Sequence, residues 1–308
     1  MAARQKNLDF QKIGVINIAE IIIPYEYNGK KLIDYLKCGL TLSSSEIKRL
    51  KYADSPMLLC GRPVTVRAVL CHGDILTLPE SADDCSIQPW DTPLDILYED
   101  ESILCVVKPS GMAVHPAPND RLYTLANAVT AYNSGSYVFR AVNRLDRFTS
   151  GPVIIAKNAD CCYKLGQSMK NGLFLKEYIA VTQGIPSPPS GVIKARIARC
   201  DKSAIKRCVT ADGKNAETHY TVIGKNACGD ALVNLNLITG RTHQIRVHMA
   251  HIGYPLKYDF LYGNEVDGKH FMLHCRRLEF PHPYDKKTIA LFSEIPFDIS
   301  DFSPVAPL

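Results

Sequence analysis

The chain has 308 residues, 46% hydrophobic and 22% charged, with a formal net charge of +5. That is globular composition, long enough for one large domain or a small one beside a larger one. No uninterrupted apolar run approaches the roughly 20 residues of a spanning helix, and the start, MAARQKNLDFQKIGVINIAE, has no apolar core of a secretory signal, so neither a membrane-integral nor a secreted protein is expected. Eleven cysteines, odd in number, scattered and without a CxxC pair, predict reduced thiols and a cytoplasmic protein.

Charge divides the chain. Residues 29–79 hold eight Lys/Arg against four acids, residues 80–101 hold eight acids and no Lys or Arg, and residues 102–308 hold 25 basic and 16 acidic residues. The acidic, proline-containing stretch LPESADDCSIQPWDTP reads as a linker. The expected organisation is an N-terminal segment with a small domain over 1–79, a linker over 80–94 and a larger domain over 95–308. Two basic bodies suit a polyanionic partner, although solvated charged faces are the commoner cause of such a balance.

In the first body, Leu32, Ile33, Tyr35 and Leu36 are spaced for the buried stripe of a short helix. Ser43 and Glu46 have capping-box spacing and open a second helix, EIKRLKYA, with Lys48, Arg49 and Lys51 among Ile47 and Leu50. MLLC and VTVRAVL flank a Gly61-Arg62-Pro63 turn, and ILTL follows Gly73-Asp74. The prediction is two short helices and a small antiparallel sheet.

In the larger body, ILCVV (103–107), VFRAV (138–142), PVIIA (152–156), KEYIAV (176–181), VIKARIA (192–198), ETHYTVI (217–223) and DALVNLNLI (230–238) read as strands. TLANAVTAY (124–132), ADCCYKLGQSM (159–169) and RTHQIRVHMAHI (241–252) read as helices, the last capped by Thr242 and closed by Gly253. Strands and helices mix without a βαβ repeat, so an α+β domain around a mixed or antiparallel sheet is expected.

Three places in this body carry candidate chemistry. NRLDRFTSG (143–151) sets Asp146 between Arg144 and Arg147, in a loop between two apolar strands. Neighbouring cations favour the ionised carboxylate, the form a nucleophile or charge stabiliser needs; a turn aspartate satisfied by salt bridges is the plainer alternative. Tyr178 shares one face of its strand with Lys176, Ala180 and Thr182, and is either an active-site group or a core tyrosine. In GRTHQIRVHMAHIG, Ile245, Met249 and Ile252 form the buried stripe, with Arg246 at its edge, where it reaches a carboxylate or stays solvated. His243, His248, His251, His270 and His274 have neither HExxH spacing nor a cysteine at ligand spacing, so no metal is expected. No GxGxxG or GxxxxGK[ST] loop is present, so no nucleotide cofactor is expected.

Taken in order, NRLDRFTSG, KEYIAVTQG and TGRTHQIRVHMAHIGYPLKYDFLYG resemble the three signature segments of the RluA-type pseudouridine synthases. YEDESILCVVKPSGMAVHPAP (98–118) resembles the strand and loop that precede them. The resemblance runs from about Leu94 to Phe292. It implies a pseudouridine synthase fold and a cofactor-independent isomerase. Asp146 would be the essential aspartate, Tyr178 the active-site tyrosine and Arg246 the basic residue paired with the aspartate. Arg144 and Arg147 would contact RNA. Asn143 stands where the family usually has His, Phe148 where it often has Asp, and Tyr258 where it commonly has Gly. Residues Gly29–Leu78 resemble the small RNA-binding domain of small-subunit ribosomal protein four, which implicates Lys48, Arg49, Lys51 and Arg62 in phosphate contacts. The segment RIARCDKSAIKRCVTADGK (196–214) adds further cations.

The expected function is uridine isomerisation in structured RNA, ribosomal RNA favoured over transfer RNA, by a monomer without metal, cofactor or membrane. A non-catalytic RNA-binding factor and a metal hydrolase are the alternatives.

Overall fold

The computed structural model describes residues 19–40, 42, 44–53, 55–78, 87–117, 120–200 and 205–305. By its contacts the chain divides into two units, Met1–Asp84 and Cys85–Leu308.

In the smaller unit, β1 (Ala19–Ile22), α1 (Leu32–Asp34), α2 (Ser44–Lys51), β2 (Leu58–Leu59), β3 (Arg62–Pro63) and β4 (Ile75–Leu78) follow in order, and a single π-turn, Tyr35–Gly39, continues α1. The sheet order is β1-β4-β2-β3, antiparallel throughout. Leu32, Tyr35, Leu36, Ile47, Leu50, Leu70 and Leu76 make its core. The predicted stripe therefore faces inward, and Lys48 and Lys51 face out. Two expectations change. The turn is made by Cys60 and Gly61, both with positive φ, so Arg62 and Pro63 begin a strand. VTVRAVL then leaves the sheet except for a bridge from Val69 to Lys31, and Ala19–Ile22 supplies the strand expected from it. The capping box falls on Ser43 and the Glu46 side chain, outside the described residues.

The larger unit runs β5 (Asp95–Glu99), β6 (Ile103–Lys108), α3 (Leu125–Tyr132), β7 (Gly151–Ala156), α4 (Ala159–Lys170), β8 (Leu175–Thr182), β9 (Ser190–Lys194), β10 (Ile197–Arg199), β11 (Arg207–Val209), β12 (Glu217–Lys225), β13 (Ala231–Leu237), α5 (Gln244–His251), β14 (Leu273–Pro281), β15 (Thr288–Phe292) and β16 (Ser303–Pro304). One antiparallel sheet has the order β15-β14-β8-β13-β12-β16, with β9 also on β12; a second has the order β5-β6-β7. A parallel bridge between Ser150 and His274 stitches β7 to β14.

Apolar runs without alternation mark strands buried on both faces, and β6 and β7 behave so. Leu104, Val106, Val153 and Ile155 join the core beneath α3 and α5, while Ile103, Cys105, Ile154 and Ala156 join a second one with Cys161 and Leu165 of α4. Each fully buried aliphatic side chain stabilises by roughly 1.5–3 kcal/mol. This is the expected α+β domain. Within it VFRAV is not a strand; only Ala141 bridges, to Ile155. VIKARIA breaks into β9 and β10. From Ile87 onward the stretch read as a linker is tied to α3, with the Trp90 amide donating to Asn127 O and the Asn127 side chain donating to Gln88 O.

Candidate active site

Asp146, Tyr178 and Arg246 lie more than thirty residues apart in the chain, and one pocket of about 190 Å³ takes them all. Its walls are the loop 142–146 with Thr149, the β8 residues Lys176 and Tyr178, and the stretch 240–246 leading into α5.

The loop is fixed at many points. Leu145 is buried in the main core. The Asn143 amide nitrogen donates to Pro152 O at 3.1 Å, and its carbonyl accepts from the Ile154 amide at 2.8 Å. This explains how the loop closes with Asn in that place. Ser150 donates its hydroxyl to His274 Nδ1 at 2.9 Å, while His274 Nε2 donates to Ser293 O. Below the loop Lys108 is fully buried, and its Nζ donates to the carbonyls of Pro109, Met112 and Arg147 at 2.8–3.0 Å. Burial pulls its pKa down to about 7, partly opposed by the nearby Asp146 carboxylate. Phe148 stacks on His270 with ring centroids 3.8 Å apart.

The arginines flanking Asp146 do not hold it. Arg144 is exposed and has no ion pair among the described residues. Arg147 pairs with Asp120 and donates to Gly111 O. Asp146 is one-fifth exposed, and among the described residues its ion-pair contact is with His243, whose Nε2 lies 3.9 Å from Oδ2.

Arg246 likewise corrects an expectation. Its guanidinium does not pair with Asp146 but forms a bidentate pair with Asp259, Nε to Oδ2 and Nη2 to Oδ1, both at 2.7 Å, with both side chains buried. Phe271, Tyr262 and Phe260 surround it, their ring centres 4.2, 5.0 and 5.4 Å away. The reason is proximity after α5. Tyr258, with φ 64° in the left-handed region that glycine enters freely, turns the chain so that Asp259 lies under the helix. Asp259 Oδ1 also accepts from the Leu261 and Tyr262 amides.

Tyr178 pairs across the sheet with Cys275 and is 6% exposed. Burial raises its pKa well above the usual phenol value, with the Cys275 thiol and Asp146 adding to the effect. Lys176 lines the same wall, and burial lowers its pKa. The helix begins at Gln244 rather than Arg241, and its cap position is His243 in the left-handed conformation, so Thr242 does not cap it. Gln244 instead ties the turn to β12: Nε2 donates to Glu217 O and Thr218 Oγ1, and Oε1 accepts from the Arg241 amide. His248 is a core residue bonded to Thr218 and Ala195 O.

Lys108, Asp259 and Tyr262, which support the pocket from behind, were not singled out by pattern reading. Lys176 was noted only for its alternation with Tyr178 and His243 only as a metal-ligand candidate; both line the pocket. Lys48, Lys51 and Arg62 are exposed in the smaller unit; the Arg49 side chain lies outside the described residues. Arg199, Arg207, Lys214 and Arg241 line a hollow between β10, β11 and Gly240–Thr242.

The family model for RNA pseudouridylate synthase matches residues 102–251, which contain the first two segments and the part of the third that carries Arg246. The uncharacterized RNA pseudouridine synthase YjbO of Bacillus subtilis is 35% identical over 268 residues, 85% of this chain and 94% of that one. The chain belongs to the RluA-type RNA pseudouridine synthases. The ribosomal large subunit pseudouridine synthase D of Zymomonas mobilis is 34% identical over 255 residues, 76% of this synthase and 78% of that one. Among solved structures, human RNA pseudouridylate synthase domain containing 1 matches with a TM-score of 0.58 and 28% identity, covering 70% of this synthase and 90% of that chain. The synthase is accordingly an isomerase of uridine in RNA. In that reaction the bond from uracil N1 to ribose C1′ breaks, the base turns, and C5 bonds to C1′ while its proton leaves and N1 gains one.

Proposed function

We propose that Asp146 is the reacting carboxylate and that the substrate is structured ribosomal RNA. The observation that carries the first part is the convergence of Asp146, Tyr178 and Arg246 on one pocket, with Asp146 the partly exposed carboxylate at its wall. The pocket has room for more than one water and suits one flipped-out pyrimidine. Asp146 acts at the sugar as the glycosidic bond breaks, as nucleophile or as anion supporting the charge that develops. Tyr178 keeps its proton at neutral pH, given its raised pKa, so it serves as a wall for the base and not as the group that removes the C5 proton. Arg246 acts indirectly, by bracing the 259–262 turn through Asp259.

Ribosomal RNA is favoured by the relative named for the large ribosomal subunit. It is favoured also by the smaller unit, whose likeness to the ribosomal protein domain assigns Lys48, Arg49, Lys51 and Arg62 to phosphates. Transfer RNA is the lesser candidate. Arg144, exposed beside the pocket, is assigned to a phosphate; Arg147, engaged by Asp120, is assigned to the loop's own shape with its outer edge toward RNA. A cytoplasmic monomer completes the reading, checked by light scattering of the purified chain.

The test is carbodiimide-dependent primer extension on total RNA from a deletion strain, complemented with wild type or Asp146→Asn. A ribosomal stop that vanishes on deletion and returns only with wild type supports both parts. Restoration by Asp146→Asn rejects the role of the carboxylate, and a stop confined to transfer RNA rejects the substrate.

A further inference from the structure

His243 precedes α5 with φ 57°, a conformation uncommon outside glycine and maintained only where the surroundings impose it. Its side chain is 9% exposed, and its two nitrogens have separate tasks. Nδ1 lies 2.8 Å from the Tyr262 hydroxyl, and Nε2 faces Asp146 Oδ2 at 3.9 Å. The Tyr262 oxygen also accepts the Arg207 amide N–H at 2.8 Å. A phenol has one proton. With its other neighbour a donor, that proton points at Nδ1, which leaves the neutral imidazole protonated on Nε2, toward Asp146. Tyr262 is itself placed by Asp259, which accepts its amide and clamps Arg246.

We propose that His243 is a positioning residue for Asp146: Tyr262 fixes its tautomer so that Nε2–H aims the carboxylate into the pocket. The proposal rests on Asp146 being the reacting group. At 3.9 Å the contact is longer than a hydrogen bond; it acts as a directional charge–dipole contact, and such contacts shorten when substrate fills a site.

The charged or titratable groups facing the ring are Asp146 from the catalytic loop, Arg246 on α5, Arg207 on β11, and Asp259 and Tyr262 from the turn. Burial is the largest influence on the ring and lowers its pKa, with Asp146 pulling it back up. The ring is therefore neutral at neutral pH, and its tautomer matters.

The experiment measures single-turnover rate and half-saturating enzyme concentration on total RNA from the deletion strain, using the full chain. His243→Ala is expected to lose roughly 10- to 100-fold in rate, the scale of a misplaced reacting group, with half-saturation unchanged. His243→Gln, whose amide nitrogen takes the place of Nε2, recovers most of that rate, and His243→Asn, one carbon shorter, does not. Tyr262→Phe releases the tautomer, so its rate falls at pH 8 and recovers as acid protonates both nitrogens; His243→Ala shows no such recovery. Wild-type rates for His243→Ala and Tyr262→Phe beside an inactive Asp146→Asn overturn the proposal. So does equal loss in His243→Ala and His243→Gln with no acid recovery in Tyr262→Phe, the outcome of a merely structural role. An active Asp146→Asn fails the underlying reading instead. If His243→Ala does not fold, His243→Gln and Tyr262→Phe decide.

Discussion

Lys108 and Arg246 are both enclosed, and they differ in what answers their charge. Lys108 has three carbonyl oxygens and, among the described residues, no ion pair, and its pKa falls to about 7. The unfolded lysine titrates near 10.4, so between about pH 7 and 10 the unfolded chain binds more protons than the folded one. Stability from this site then rises with pH. The stability of wild type minus that of Lys108→Met is expected to increase between pH 7 and 9.5, read from urea unfolding of both proteins at each pH. Arg246 is answered by a full negative charge. Removing that charge in Asp259→Asn leaves a buried guanidinium without its counterion, a loss of roughly 3–5 kcal/mol, measurable by the same method; the synthase should also lose turnover, because Tyr262 loses its support. Asp146 and Tyr178 were legible because each sits in a distinctive local string. The partner of Arg246 was not, because choosing Asp259 over Asp146 depends on how the chain turns at Tyr258, which no local pattern announces.

Strands β6 and β7 were legible as elements because continuous apolar runs leave few alternatives to burial on both faces. VFRAV shares that composition but meets β7 only at the single bridge of Ala141 to Ile155, with Ala156 donating to Arg140 O and Val142 donating to Ile154 O, so its hydrophobicity misled. α5 was misjudged at its start because Gln244 takes over the turn that Thr242 was expected to cap. The junction of the two sheets has a firm sequence requirement at Gly151. A Cβ there would lie 2.6 Å from Cys275 O and 2.7 Å from Cys275 Cβ, and φ is 126°. Gly151→Ala should therefore force β7 from β14 at a cost of about 1–3 kcal/mol, as overpacking does, and lower the rate through the attached loop. Thermal unfolding together with single-turnover assays checks both effects; an unaltered melting temperature would contradict the packing argument.

Across the whole molecule, an acidic stretch between two basic ones is the feature on which the sequence reading placed its boundary, and the contacts divide the chain after Asp84; charge said nothing of where the portion from Ile87 onward would settle. On the proposed role of the smaller unit, replacing Lys48, Lys51 and Arg62 with Gln should weaken RNA binding and reduce the salt slope by up to about one unit per lost phosphate contact. Turnover at saturating RNA should stay the same, as filter binding at several salt concentrations and a saturated assay will show. The larger unit carries one more consequence, from the fastening of residues 143–151. Asn143 holds one end to β7, Ser150 holds the other to β14, and Lys108, Leu145 and the Arg147–Asp120 pair secure the middle. A receptor surface braced in this way does not reshape itself around its guest. The distortion falls on the polynucleotide, so uridines already loosened from their stack by a bulge, a loop or incomplete assembly should outcompete those in regular helix.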